Sequence, residues 1–141
     1  MTEIIRISSF LRFALVLDAT VSLISAFLLI LGGNYLAKLL GLTTDFIFYA
    51  GLSLFPFIGL LIYTATRKSI SKTVVWLIIA LNLIWTIDSF LLLISGYVTP
   101  TTFGYIFVIF QAIAVLIFAE LEFIGMRKSQ VIVFKDAKEA I

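Results

Sequence analysis

Residues 73–95 read TVVWLIIALNLIWTIDSFLLLIS, twenty-three residues with one charge, Asp88. At ~1.5 Å per residue, about 20 residues of helix cross a ~30 Å hydrocarbon core. A surface helix of this length would need a charged face, and this one has none. Three more runs share its character, so spans are expected at about residues 10–31, 46–65, 73–95 and 102–124. Hydrophobic residues make up 62% of the 141-residue chain and the mean hydropathy is +1.21. A soluble domain holds ~45–50% apolar residues.

The charges orient these spans. Arg6, Arg12, Arg67, Lys68, Lys72, Arg127, Lys128, Lys135 and Lys138 flank one side, and Lys38 alone lies on the other. Nine against one follows the positive-inside rule and predicts cytoplasmic N- and C-termini. The fold class is therefore all-α: a transmembrane four-helix bundle over residues 1–128 and a short cytoplasmic tail over 129–141. The first run, Phe13 to Leu31, exceeds the ~7–15 apolar residues of a secretory signal and reads as a retained span. The net charge of +2 sits in membrane-flanking segments, which points to lipid headgroups and not to nucleic acid.

The chain has no cysteine and no histidine. Thiolate chemistry is excluded, and the commonest metal ligand and general base are missing. The expectation is a protein that is not an enzyme and holds neither cofactor nor metal.

Local signals mark the ends of the spans. Ser8 or Ser9 suits the N-cap of span 1, and Ser69 or Ser71 that of span 3. Thr99 with Pro100 at the next position predicts the start of span 4. Asp45 favours the positive end of span 2. The first outer loop, YLAKLLGLTT at 35–44, is too apolar for a solvated loop. It reads as a short interfacial helix or as an ordered loop packed on the bundle. Pro56 removes an N–H from span 2, predicts a kink there, and frees the Leu52 carbonyl, which Ser53 is placed to help satisfy. Short connections predict antiparallel neighbours: spans 1 and 2, 2 and 3, 3 and 4. SAFLLILGG at 25–33 aligns with DSFLLLISG at 88–96, and both halves end in Arg-Lys. A duplication would be a parallel repeat about the membrane normal.

Polar residues within the spans carry the functional content, because acids there cost about 2.5–3.5 kcal/mol each on insertion scales. Asp18, Ser22 and Ser25 fall on one helix stripe that should face the bundle. Arg12, Asp18, Glu120 and Glu122 occupy similar levels near the cytoplasmic end. An Arg12–Glu120 pair between spans 1 and 4 is expected as a structural clamp, and the alternative is a proton- or cation-linked carboxylate cluster. Nearer the midplane and the outer end lie Asn82, Trp85, Asp88 and Gln111, a second candidate pocket. Asn82 and Gln111 are placed to hydrogen-bond each other across spans 3 and 4. Ser22 with Ala26, Gly51, Gly59, Ala112 and Ala119 permit close helix approach.

The segments LRFALVLDATVS, LAKLLGL, PFIGLL, VWLIIALNLIW and GYVTPTTFGYIFVIFQAIAVLIFAELEFIGMRK together cover most of residues 11–128. They resemble a group of small bacterial four-span membrane proteins with no established activity. Asp18-Ala19, Asn82 with Trp85, Pro100-Thr101, Gln111-Ala112 and Ala119-Glu120-Leu121 carry the resemblance. It implies the fold and a multi-pass place in a bacterial inner membrane, and it transfers no site. Asp88 departs from that group, where a small residue is expected.

Two functions fit these features. One is a non-enzymatic structural or accessory subunit, a homo-oligomer or a member of a larger membrane complex. The other is a small transporter or channel for an ion or small solute using the intramembrane carboxylates.

Overall fold

The computed structural model describes residues 3–132. Five helices follow in chain order: α1 (Ser9–Leu31), α2 (Gly33–Leu40), α3 (Thr44–Thr66), α4 (Lys72–Ile94) and α5 (Thr102–Lys128). All except α2 are long and apolar enough to cross a membrane. Three short strands, β1 (Ile4–Arg6), β2 (Ser69–Ser71) and β3 (Gln130–Ile132), join the helical bundle. Both described chain ends and the α3–α4 connection therefore meet at one end of the molecule.

Helix ends follow side-chain chemistry. Ser8 Oγ accepts from Leu11 N–H at 3.1 Å and caps α1, and Thr43 Oγ1 accepts from Phe46 N–H at 3.2 Å and caps α3. Ser71 caps α4. The start of α5 differs from expectation. Thr101, not Thr99, is its N-cap, and Pro100 precedes the helix. The reason is a tertiary tie: Thr101 N–H donates to Leu40 O at 3.0 Å and its hydroxyl to Leu39 O at 2.7 Å. The outer loop is a helix, α2, whose Leu36, Ala37 and Leu40 are buried. It closes with Gly41 at φ 72°, a left-handed C-terminal turn suited to glycine. Gly104 lets α5 pass beneath it, since a Cβ there would collide with Leu40 O. α3 runs through Pro56 as one helix, and Ser53 Oγ donates to Ala50 O, not Leu52 O.

Two helical hairpins build the bundle. α1 lies along α3, α4 lies along α5, and α1 packs against α5 to join them. The expected pairing of the second and third spans is reduced to a short contact between α3 and α4. Their connection is an extended strand committed to the sheet, which takes the place of a tight helical turn. In that sheet β1 is central, antiparallel to β2 and β3, with Ile5 opposite Ile70 and Val131. Ile5 and Ile70 point inward and join Leu11, Leu15, Leu61, Val75 and Met126 in one core. The sheet thus plugs its end of the bundle with side chains. It extends into the segment read as a tail; the remainder of that segment, including Val133 and Phe134, lies outside the described residues.

α1 and α5 approach closely at this end. A Cβ on Gly125 would stand 2.7 Å from Leu11 Cα. Ser129 Oγ accepts from Ser8 N–H at 3.1 Å and donates to Gly125 O at 2.8 Å, fastening the start of α1 to the end of α5. At the opposite end Gly51 sits against Ala26 and Leu29 of α1. Gly59 has no such neighbour within 4 Å.

Candidate functional site

The centre of the site is Asn82 on α4. Its Nδ2 donates to Asp18 Oδ2 of α1 at 2.9 Å and to Glu122 Oε2 of α5 at 3.0 Å. Three helices meet through this one amide. Asp18 is 1% exposed, Asn82 3% and Glu122 0%, so the contact is shut off from lipid and water alike. Two carboxyl acceptors fix the amide with its nitrogen toward them. Ser22, one turn beyond Asp18, donates to Asp18 Oδ1 at 3.1 Å. Thr86, one turn beyond Asn82, donates to Asn82 O at 3.0 Å. The i, i+4 spacing on α1 and on α4 places both hydroxyls beside the amide and its carboxyl partner. Glu122 Oε1 is buried and has no hydrogen-bond partner among the described residues.

A second polar group lies one turn along α4 from Asn82. Trp85 Nε1 donates to Gln111 Oε1 at 2.8 Å. Gln111 Nε2 donates to Ser89 Oγ at 2.8 Å and to Val108 O at 2.9 Å, and Ser89 Oγ donates back to Trp85 O at 2.8 Å. The donors and acceptors satisfy one another, so this group clamps α4 to α5 and leaves nothing open for a ligand. The expected Asn82–Gln111 bond is replaced by these two networks.

The remaining residues singled out in the sequence stand elsewhere. Arg12 does not pair with Glu120. Its Nε donates to Ala65 O and its Nη2 to Arg67 O, each at 2.9 Å. These carbonyls close α3, where a helix lacks internal donors and carries partial negative charge, so the guanidinium finds its partners there. Glu120 is exposed on a shallow apolar groove between α4 and α5, beside Trp76, Ile79, Leu83 and Phe123. Asp88 is exposed on the outward side of α4, away from Asn82 and Gln111. No hydrogen bond or ion pair reaches it among the described residues. Ser25 is half-buried and turned onto Val21 O, so the serine stripe ends at Ser22.

Sequence spacing placed Asp18 and Glu122 in one cluster and Asn82 in the other, whereas the structure joins all three. Glu122 lies only two residues from Glu120, but 200° around a helix separates a buried face from an exposed one. Phe118 is one turn before Glu122 and is also buried, which marks the inward stripe of α5.

No family model matches the chain, and neither a curated protein nor a solved structure matches it. What stands is physical. This is a multi-pass integral membrane protein.

Proposed function

We infer that the protein is a non-enzymatic membrane subunit that assembles, as a homo-oligomer or beside a larger partner, through the outward side of α4. Asp88 carries this reading. It lies about 10 Å inside the end of its span. A carboxylate facing hydrocarbon at such depth costs a few kcal/mol, and intramembrane acids seldom face lipid. A neighbouring helix that offers hydrogen-bond donors removes that cost. The polar contacts inside the bundle support the same reading, because they tie α1, α4 and α5 together while Arg12 ties α1 to the end of α3. The charge asymmetry supports a cytoplasmic position for the sheet end and placement in a cell membrane of bacterial inner-membrane type.

The test is oligomeric mass in a mild detergent or in nanodiscs. The protein is expected as an assembly, and Asp88→Leu is expected to weaken it by roughly three- to thirtyfold, the range of one interhelical hydrogen bond of ~0.6–2 kcal/mol. A monomer without a partner defeats the reading. The transporter reading rests on Asp18 and Glu122. Against it stand the side chains of Ile5 and Ile70 at one end and α2 at the other, which close the bundle core.

A further inference from the structure

The Asp18–Asn82–Glu122 contact has an incomplete set of donors. Two carboxyl groups present four oxygens. Ser22 serves Asp18 Oδ1, and Asn82 serves Asp18 Oδ2 and Glu122 Oε2. The fourth, Glu122 Oε1, is sealed in the core and has no hydrogen-bond donor among the described residues. The deficit is one of charge as well as of hydrogen bonds. The two oxygens held by a single nitrogen lie within about 6 Å of each other, where like charges repel strongly in a low-dielectric interior. No cationic side chain is among the partners. Arg12 is held at the α3 terminus, and Lys72 pairs with Glu3 at 3.2 Å outside the bundle.

The other titratable groups of the helices do not face this point. On α3, Asp45, Tyr49 and Tyr63 are exposed; on α5, Tyr105, Glu120, Arg127 and Lys128 are exposed; on α4, Asp88 is exposed and only Asn82 and Thr86 face inward here. α1 contributes Asp18 alone.

We propose that Asp18, Glu122 and Asn82 form a buried binding site for one small monovalent cation, a proton or an alkali ion, seated at Glu122 Oε1 between the two carboxyl groups. The shared chemistry is a single positive charge held by carboxyl oxygens. A proton gives the fourth oxygen a donor function and removes one of two repelling charges. An alkali ion does the same electrostatically. The site binds in a closed bundle, so exchange requires local opening at the sheet plug or at α2. This inference is independent of the outward side of α4.

Thermal unfolding of the full chain in detergent tests it. One arm replaces choline by sodium at constant ionic strength and pH. The other lowers the pH at constant sodium. Binding to the folded state alone raises the midpoint with ligand concentration. The midpoint is therefore expected to rise by several degrees with sodium if the ligand is an alkali ion, or with falling pH if it is a proton. Glu122→Gln and Asp18→Asn each remove one charge and are expected to lose that response, whereas Glu120→Gln, at an exposed position of the same helix as Glu122, keeps it. A wild-type midpoint flat in both arms overturns the proposal, as it would if a buried water alone met Oε1. An unchanged response in both Glu122→Gln and Asp18→Asn overturns it too. If neither of these variants folds, infrared spectra of the wild-type protein decide. A protonated-carboxyl band slow to shift in deuterated water, or a carboxylate band sensitive to sodium, supports the site, and the absence of both overturns it.

Discussion

At the residue scale, one amide holds two buried carboxyl groups from two other helices. Among the described residues, Asn82 is the only donor to either carboxyl from another helix, so its loss strands two buried acids at once. An unsatisfied buried polar group costs ~1–3 kcal/mol, and more when charged. Asn82→Ala is expected to destabilise the bundle by ~3 kcal/mol or more in reversible unfolding. Adding Glu122→Gln should recover part of that loss, because the amide of the glutamine can donate to Asp18. Strict additivity of the two changes would show that the carboxyls do not share this partner. The intramembrane polar residues were legible one by one, since each costs too much in lipid to be incidental. Their partners were not. Helix spacing gives the direction of a side chain on its own helix, and it does not give the level or rotation of the helix opposite. That is why Glu122 meets Asn82, and Arg12 meets the carbonyls of α3 in place of Glu120.

At the element scale, the four long helices were visible because each is a continuous apolar run, whereas for α2 the sequence showed only that YLAKLLGLTT is too apolar for a solvated loop, which left a short helix and an ordered packed loop both open. The sheet was invisible. Three strands of three residues are too short for a period of two to register, and they sit in segments that read as linkers. Their pairing depends on α1, α3 and α5 ending at a common level, which is a property of the packed bundle. The close crossing of α1 over α5 at Gly125 was also missed, because a glycine near a helix end reads first as a stop signal. Here α5 continues through it to Lys128. Gly125→Val tests the crossing. Its Cβ meets backbone, not a flexible side-chain tip, so α1 must shift. A loss of ~1–3 kcal/mol or more is expected, with weakened protection of the β1–β3 amides in hydrogen exchange. Gly59→Ala, with open space around the site, is expected to be nearly neutral.

At the scale of the whole molecule, the sheet ties the N-terminal strand, the α3–α4 connection and the strand after α5 into one end, so these three segments must share one side of the membrane. The charge distribution then predicts which side. Arg6, Arg67, Lys68, Lys72, Arg127 and Lys128 all belong to the sheet end, and Lys38 belongs to the α2 end. Positive charge near span ends is retained in the cytoplasm, so Lys38 and the α4–α5 turn should face outward. Single cysteines in this naturally cysteine-free chain read the arrangement directly. Tyr97 is 90% exposed at the α4–α5 turn, and Lys38 is exposed on α2. Lys38→Cys and Tyr97→Cys are expected to react with a membrane-impermeant maleimide on intact cells. Lys68→Cys, exposed beside β2, should react only after permeabilisation. Ser129 is unsuitable for this purpose, being 7% exposed and bonded to Ser8. Labelling of Lys68→Cys from outside, with Tyr97→Cys protected, would invert the molecule and remove the charge argument. Labelling of all three from outside would contradict the four-span arrangement, because the two ends of α4 would then lie on one side.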